Sequence, residues 1–432
     1  MPRFSIVITT TRPDVVEGAV RSALAQDFKD LEVIVSDNSD AGCSELLDMT
    51  DRRLRYVRPT RYLPLVDHWN FAFSHATGEW QTLLCDDFAV PPSLLAIVDE
   101  EIRLNQDIDT VRWGSAVYVD GDWWLEDQRH RLTIPSFTGQ RVKLDAKRVI
   151  AEMFESGTGL GSSVKHKVPI IPNAVYSRRI IERIRQQFGG NLFEPICPMT
   201  SAALAALALS DYTLQVDLPL TVKGSHKHSA AGHFADPATY RRMLLGTSFR
   251  HIPLKTTMLF PCTAAETVLH TQSLLPDLLG AYRLNWNLFF VNCYAAIREL
   301  EEQGLKMHDV HELFRKAVHL FPFSLRARVW GAILNRRAWD AIRSPNVRSS
   351  VMLRPLRRIR RAARQCATVL RSSMSRKERA SSSQLLDTRQ VGLNSITDCA
   401  NYLERLLSNQ RGIHRRLADD VHESYSAPSR HV

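Results

Sequence analysis

Gly78-Glu-Trp-Gln-Thr-Leu-Leu-Cys-Asp-Asp-Phe-Ala-Val90 is the stretch that decides how this chain is read. Trp80 to Leu84 is a largely apolar run of strand length that stops at Asp86 and Asp87, and Pro91 and Pro92 then open a helix. Two adjacent carboxylates at the mouth of a sheet repel each other and lose hydration, so something cationic must sit between or beside them. A hard divalent ion carrying a diphosphate meets that demand, because Mg2+ and Mn2+ favour one or two carboxylates together with waters and phosphate oxygens. The plainer role for such a pair is an acidic turn capping the next helix.

The chain upstream repeats the pattern of strand, polar loop and helix. Phe4 to Ile8 is β-branched and ends in Thr9-Thr-Thr-Arg-Pro-Asp14, after which Val16, Ala19, Val20 and Ala23 recur at helical spacing. Leu31 to Val35 predicts a second strand, closed by Ser36-Asp-Asn-Ser-Asp40. A helix near Ser44 to Met49, a strand at Leu54 to Val57 and a helix from Val66 to His75 follow. Such alternation predicts a largely parallel sheet covered on both faces. Ligands of these sheets lie beyond the carboxyl ends of the strands. The loops Thr9 to Arg12, Asp37 to Asp40 and Asp86 to Phe88 all fall at that edge.

Taken in order, Ser5-Ile-Val-Ile-Thr-Thr-Thr11, Ala19-Val-Arg-Ser-Ala-Leu-Ala-Gln-Asp-Phe28, Glu32-Val-Ile-Val-Ser-Asp-Asn-Ser39, Asn70 eight positions before Gly78-Glu79, and Cys85-Asp-Asp87 resemble glycosyltransferase family 2, the large inverting GT-A group. The likeness spans roughly residues 2–104. It implies an α/β, Rossmann-like GT-A fold with a mostly parallel sheet flanked by helices, followed here by a helical C-terminal region. It also implies a nucleotide-diphosphate sugar as donor. By match, Thr9, Thr11 and Asp37 hold the nucleotide base, Asp86 faces the ribose, and Asp87 ligates Mg2+ or Mn2+. The sequence departs from the family pattern at Cys85 and Phe88, which stand where carboxylates are common, and at Trp69, where many relatives carry Arg. Each residue also has an ordinary use: Asp37 suits an Asx-turn, and Thr9 and Thr11 suit loop packing or helix capping.

Downstream, Thr110 to Trp113 and Ala116 to Val119 continue the sheet, and Asp120-Gly-Asp-Trp-Trp124 makes a turn whose two tryptophans either stack on a sugar or pack beneath the sheet. Gly157-Thr-Gly-Leu-Gly-Ser-Ser163 lacks the Gly-Lys-Ser/Thr ending of a phosphate loop and reads as a mobile loop. Inverting transfer needs a base for the acceptor hydroxyl. Similar sequences often carry Pro-Asp where this chain has Pro198-Met199, so Glu194 is the chosen candidate, with Asp211, Asp120 and Asp122 as alternatives; a charge complementing a helix dipole is the plain reading of Glu194. Gln215 to Val222 predicts a last strand. After it, Lys223 is positioned for the diphosphate, and His226 or His228 for the metal, with His228 taken as the ligand; a solvated basic loop is the plain alternative.

These readings divide the chain into a catalytic domain at 1–235 (nucleotide-sugar half 1–104, acceptor half 105–235), a helical domain at 236–345, and a basic amphipathic helix, linker and tail at 346–432, the last with a short helix expected over Asn394 to Leu407. The 432 residues are 44% hydrophobic and 24% charged, ordinary for a globular enzyme, and much of the +10 net charge gathers between Arg354 and Arg379. A helix over 355–371 with arginines around an apolar stripe suits an anionic membrane surface, where a lipid-linked or glycan acceptor would wait. The helical region is expected to cover the catalytic domain, pair subunits in a homo-oligomer, or shape the acceptor site. No nucleic acid is expected. Seven scattered cysteines without a C-x-x-C pair exclude a disulfide framework, and no leader or spanning segment is read, which places the protein in the cytoplasm, peripheral on the inner face of the membrane. The alternative functions are a catalytically degenerate nucleotide-binding scaffold, suggested by Phe88 and the missing Pro-Asp, and a nucleotidyltransferase, for which Thr9 to Pro13 lacks the glycine-rich basic signature.

Overall fold

The computed structural model describes residues 1–123, 126–159, 164, 166–227, 249–254, 259–302, 306–343 and 383–409, with side chains given to 335 in the helix that ends at 343. His228, Trp124, residues 160–163 of the glycine-rich loop and the basic segment 355–371 lie outside the described residues.

Four parallel strands form the centre: β1 (Phe4–Thr10), β2 (Leu31–Asp37), β3 (Leu54–Val57) and β4 (Trp80–Cys85), in the order β3-β2-β1-β4. All seven residues of β1 and of β2 are buried, which is why they read as near-continuous apolar runs. Strand alternation sorts their side chains to two cores. Phe4, Ile6, Ile8, Val33, Val35 and Leu84 meet α1 (Val16–Leu24) and α3 (Leu94–Leu104) on one face. On the other, Val7, Ile34 and Leu83 meet α2 (Leu65–Ser74), α4 (Ala146–Glu155), α5 (Arg178–Gln187) and α6 (Pro198–Ala208).

The remaining strands make the sheet mixed. These are β5 (Phe88–Ala89), β6 (Thr110–Val119), β7 (Arg131–Ile134), β8 (Arg141–Asp145), β9 (Ala174–Ser177), β10 (Tyr212–Ser225) and β11 (Gln384–Asp387). β9 lies antiparallel between β4 and β6, so β6 points the same way as β4. β10 runs parallel to β6 and antiparallel to β5 and β8. The expected α/β class is therefore present, with its parallel character held by β1 to β4 and the β6–β10 pair. The carboxyl ends of β1, β2, β4, β6 and β10 share one rim.

Behind the second face stands the expected helical region: α7 (Phe260–Leu274), α8 (Trp286–Glu302), α9 (His308–His319) and α10 (Phe323–Arg343). Phe289, Phe290, Phe314, Val318 and Val329 belong to the same apolar cluster as Val7 and Leu83. One core thus runs through both regions. Among the described residues no helix is long and apolar enough to cross a membrane.

The C-terminal segment carries the short helix expected between Asn394 and Leu407, at 396–409, and adds to the expected linker and tail a return to the sheet. β11 pairs with β7, and the helix 396–409 (α11) packs Cys399, Ala400 and Leu403 against Ala89, Ala116, Tyr118, Leu132 and Val222. Ser93, the residue before α3, makes no side-chain cap of its own; its main-chain N–H and hydroxyl both donate to Glu404 Oε2, at 3.0 and 2.6 Å. A four-residue strand is too short to show periodicity, so nothing local announced this return. Because Leu403 is fully buried, Leu403→Ala should cost about 2–4 kcal/mol through lost burial and a residual cavity. Denaturant titration checks this, and an unchanged midpoint would mean that the segment packs on nothing.

Candidate active site

Register builds the rim. Thr10 at the end of β1 pairs with Asp37 at the end of β2, and Thr9 pairs with Cys85 at the end of β4. The three polar loops anticipated from sequence are therefore neighbours, with Asp37 and the Asp86–Asp87 pair on the same edge.

Asp37 is fully buried and accepts hydrogen bonds from the Tyr56 hydroxyl at 2.6 Å and the Ser39 N–H at 2.8 Å. Burial alone would raise its pKa; the bonds from Tyr56 and Ser39 outweigh it and hold the carboxyl below its ordinary value. Next to it Asn38 makes a two-way bond with the Leu63 main chain, at 2.8 and 3.0 Å, fixing the loop that leads into α2. A cleft of about 190 Å³ opens between these loops, lined by Asp37, Ser39, Arg58, Thr60 and Tyr62 among others. Beneath it, His68 of α2 lies 2.9 Å from Ser36 Oγ, and burial lowers its pKa to about 4, so it adds no positive charge.

Arg12 is the centre of the acidic loop. Its guanidinium grips both oxygens of Asp86, with Nε 3.1 Å from Oδ2 and Nη2 on Oδ1, while the same Nη2 lies 3.3 Å from Asp87 Oδ2. Nη1 lies 3.0 Å from His226 Nε2, which is itself 3.5 Å from Asp87 Oδ2. Thr10 Oγ1 donates to Asp86 Oδ2 at 2.8 Å. Burial disfavours charge on Arg12, but Asp86 and Asp87 more than compensate and raise its pKa. For Asp86, burial raises the pKa and Asp87 adds to the rise, against the guanidinium. Cys85 is pushed up as well, first by burial and then by both aspartates, and stays a thiol.

β10 delivers the other side of the loop. Lys223 pairs with Phe88 across the β5–β10 ladder, its Nζ 5.8 Å from the ring centroid. Gly224 donates its N–H to the Asp87 carbonyl at 2.9 Å, and a Cβ there would lie 2.2 Å from that oxygen, so only glycine permits the approach. Among the described residues no group of three His, Cys, Asp or Glu side chains is set to hold an ion. The donors Asp87 and His226 nonetheless fit a hard divalent ion whose remaining positions are filled by phosphate oxygens and water.

Of the other expected residues, Thr9 is the penultimate residue of β1, on the α2 face, while Thr11 is exposed, and the bonds to the acidic loop come from Thr10 and Arg12 instead. Glu194 lies in the loop before α6, where Asn70 of α2 accepts the N–H groups of Leu192 and Phe193. Its carboxylate meets His270 Nε2 at 3.5 Å and Asn191 Nδ2 at 3.4 Å. Asp120 and Asp122 follow β6 at the rim, whereas Asp211 precedes β10 at the opposite edge. Sequence reasoning passed over Thr10, Arg12, Tyr56 and Gly224. The available signal was the demand for a cation beside the acid pair, with Arg12 already in the first loop.

Tyr56→Phe should lower stability by about 2 kcal/mol near neutral pH, the worth of a bond to an ionised acceptor. Asp37 has a lower pKa folded than unfolded, so its contribution is complete above the ordinary carboxylate value and disappears as pH falls through the folded one. The gap between wild type and variant in denaturant midpoints should therefore narrow between about pH 7 and about pH 3; a gap independent of pH would dissociate Tyr56 from the ionised Asp37. Gly224→Ala should cost about 1–3 kcal/mol by forcing the Asp87 main chain aside. Gly331→Ala, within α10 where nothing lies within 4 Å, should instead stabilise by about 0.5–1 kcal/mol. Paired melting curves read both signs.

Residues 5–184 match the family described as Glycosyl transferase family 2. Over 93 residues, 20% of this chain, the sequence is 34% identical to a GalNAc(5)-diNAcBac-PP-undecaprenol beta-1,3-glucosyltransferase of Campylobacter jejuni, and the match spans 30% of that relative's length. Similar solved structures include S. aureus TarS 1–349 in complex with UDP-GlcNAc (12% identity, TM-score 0.44, covering 77% of this chain and 92% of that one). Another is the mannosyltransferase PcManGT from Pyrobaculum calidifontis in complex with GDP-Man and Mn2+ (15% identity, TM-score 0.38, covering 78% and 88%). The matched residues 5–184 hold the parallel centre of the sheet and its acidic rim.

Proposed function

We propose that the chain transfers a sugar from a nucleoside-diphosphate donor to an acceptor hydroxyl, with inversion and with the help of Mg2+ or Mn2+. The observation that carries this reading is the convergence of Asp37, Thr10, Arg12 and Asp86–Asp87 on one rim within the residues that match family 2.

The cleft beside Asp37 is sized for the nucleoside, with the buried carboxylate as its polar anchor. Asp86 faces the ribose, and Lys223 supplies positive charge to the diphosphate. Asp87 and His226 would hold the ion, which would supply positive charge against the leaving diphosphate. Glu194 takes the acceptor proton as the acceptor oxygen bonds to the anomeric carbon and the bond to the diphosphate breaks, a single displacement that inverts the centre. The Campylobacter relative is named for a glycan carried on undecaprenol diphosphate, which supports a lipid-linked glycan as acceptor. Such an acceptor would be met from the side of a membrane.

A panel of nucleotide sugars should include one that raises the melting temperature, since a ligand bound to the folded form alone stabilises it. With that donor, Asp87→Ala should reduce transfer by about 10²-fold or more while leaving a cooperative melt. Full activity in excess EDTA would remove the metal from the mechanism.

A further inference from the structure

The acid pair already has a cation. Arg12 reaches both Asp86 oxygens, Asp87 Oδ2 and His226 Nε2, the same groups that a divalent ion on Asp87 would need. Asp86 and Asp87 side chains are 7% and 8% exposed, and that of Arg12 only 23%, so this is an enclosed arrangement rather than a surface ion pair. A guanidinium and a divalent ion repel, and Asp87 Oδ2 with His226 Nε2 cannot serve the ion fully while both face the Arg12 fork. Arg12 sits in the loop after β1, outside regular structure, with Pro13 behind it. Its planar fork suits phosphate as well as carboxylate.

Building on the function proposed above, we propose that Arg12 is the resident counter-cation of the Asp86–Asp87 pair, and that a divalent ion gains Asp87 only as the guanidinium leaves it. The donor diphosphate is the anion that receives Arg12. Metal and nucleotide then bind cooperatively: the ion alone must expel a cation from its carboxylates, whereas the metal–diphosphate complex offers Arg12 a new partner. The acid pair thereby keeps a counter-cation until a complete donor arrives.

The test is Mn2+ titration, with free ion followed by electron paramagnetic resonance, on wild type and on Arg12→Gln. Wild type should bind Mn2+ weakly alone and about tenfold or more tightly once a nucleoside diphosphate is added, a coupling of ordinary allosteric size. Arg12→Gln should bind Mn2+ alone about tenfold more tightly than wild type, and the nucleotide should add less. Arg12→Lys keeps the charge without the fork and should fall between the two; it serves as the reading if Arg12→Gln does not fold. Mn2+ bound as tightly by wild type as by Arg12→Gln without nucleotide overturns the inference. If that same wild type transfers sugar, the proposed function stands and the role of Arg12 alone is lost. If neither protein binds Mn2+ even with nucleotide present, the metal part of the function falls and this inference falls with it.

Discussion

The Arg12 clamp on Asp86 and Asp87 is the constraint to which the rest of the rim answers. Two neighbouring carboxylates of such low exposure cannot both stay ionised without a cation. At an effective dielectric of about 20, a unit charge pair about 4 Å apart is worth about 4 kcal/mol, and removing one partner of a buried pair typically costs about 3–5 kcal/mol. The surrounding strands exist in the order that allows the clamp. β1 must lie beside β4 so that its following loop can cross to the loop after β4, and the register must put Thr10 where its hydroxyl meets Asp86. β10 must come back along β6 so that Gly224 can bind the Asp87 carbonyl and present His226. A shift of one residue in β1 would turn Thr10 away to the α2 face and break the arrangement.

Much of this was legible in the sequence because the central strands are buried on both faces. Their apolar runs, and the polar loops that end them, mark both the sheet and its ligand edge. The demand for a cation beside Asp86 and Asp87 was legible too, although the sequence argument answered it with a metal while the protein answers it first with Arg12. The omission of Arg12 has a physical source. Which side chain of Thr9-Thr-Thr-Arg12 turns towards the acid pair depends on strand alternation at the last residues of β1 and on a loop without periodicity. Tyr56 was hidden for a similar reason: it pairs with Val35 in β3, and its hydroxyl reaches Asp37 diagonally across the ladder. β10 passes two register shifts before delivering Lys223 and His226, so counting from Gln215 could not place them.

The return of the C-terminus illustrates contacts that no local pattern records. Glu404 accepts from Ser93, the residue before α3, 311 positions earlier, and Ile396 lies against both Gly18 of α1 and Gly224 of β10. The Asp87 carbonyl and Ile396 both crowd the place where a Gly224 side chain would stand. The acidic loop is braced by the last described helix, so the C-terminal segment contributes to the precision of a site assembled almost wholly from the first hundred residues.

The same topology weighs the candidates for the base. β10 runs fourteen residues from Tyr212 to Ser225 and reaches the rim only at its end, so Asp211 lies on the far edge of the sheet from Arg12 and Asp86. Asp120 Oδ1 accepts the Gly121 N–H at 2.5 Å, and Asp122 Oδ1 accepts the Lys227 N–H at 3.2 Å, which keeps both at the β6–β10 end of the rim. Displacement with inversion requires the base on the side opposite the leaving group. α6 carries the chain towards Asp211, so the loop before it, with Glu194, opens towards the rim from the α2 side, where Asn70 fixes Leu192 and Phe193. His270, 3.5 Å from Glu194, can hold the carboxylate in place without forming a tight pair that would quench it. Of the four acids, Glu194 is the one that lies on the α2 side of the sheet, beside the loop that Asn70 fixes, away from the β6–β10 turn and from the edge that holds Asp211.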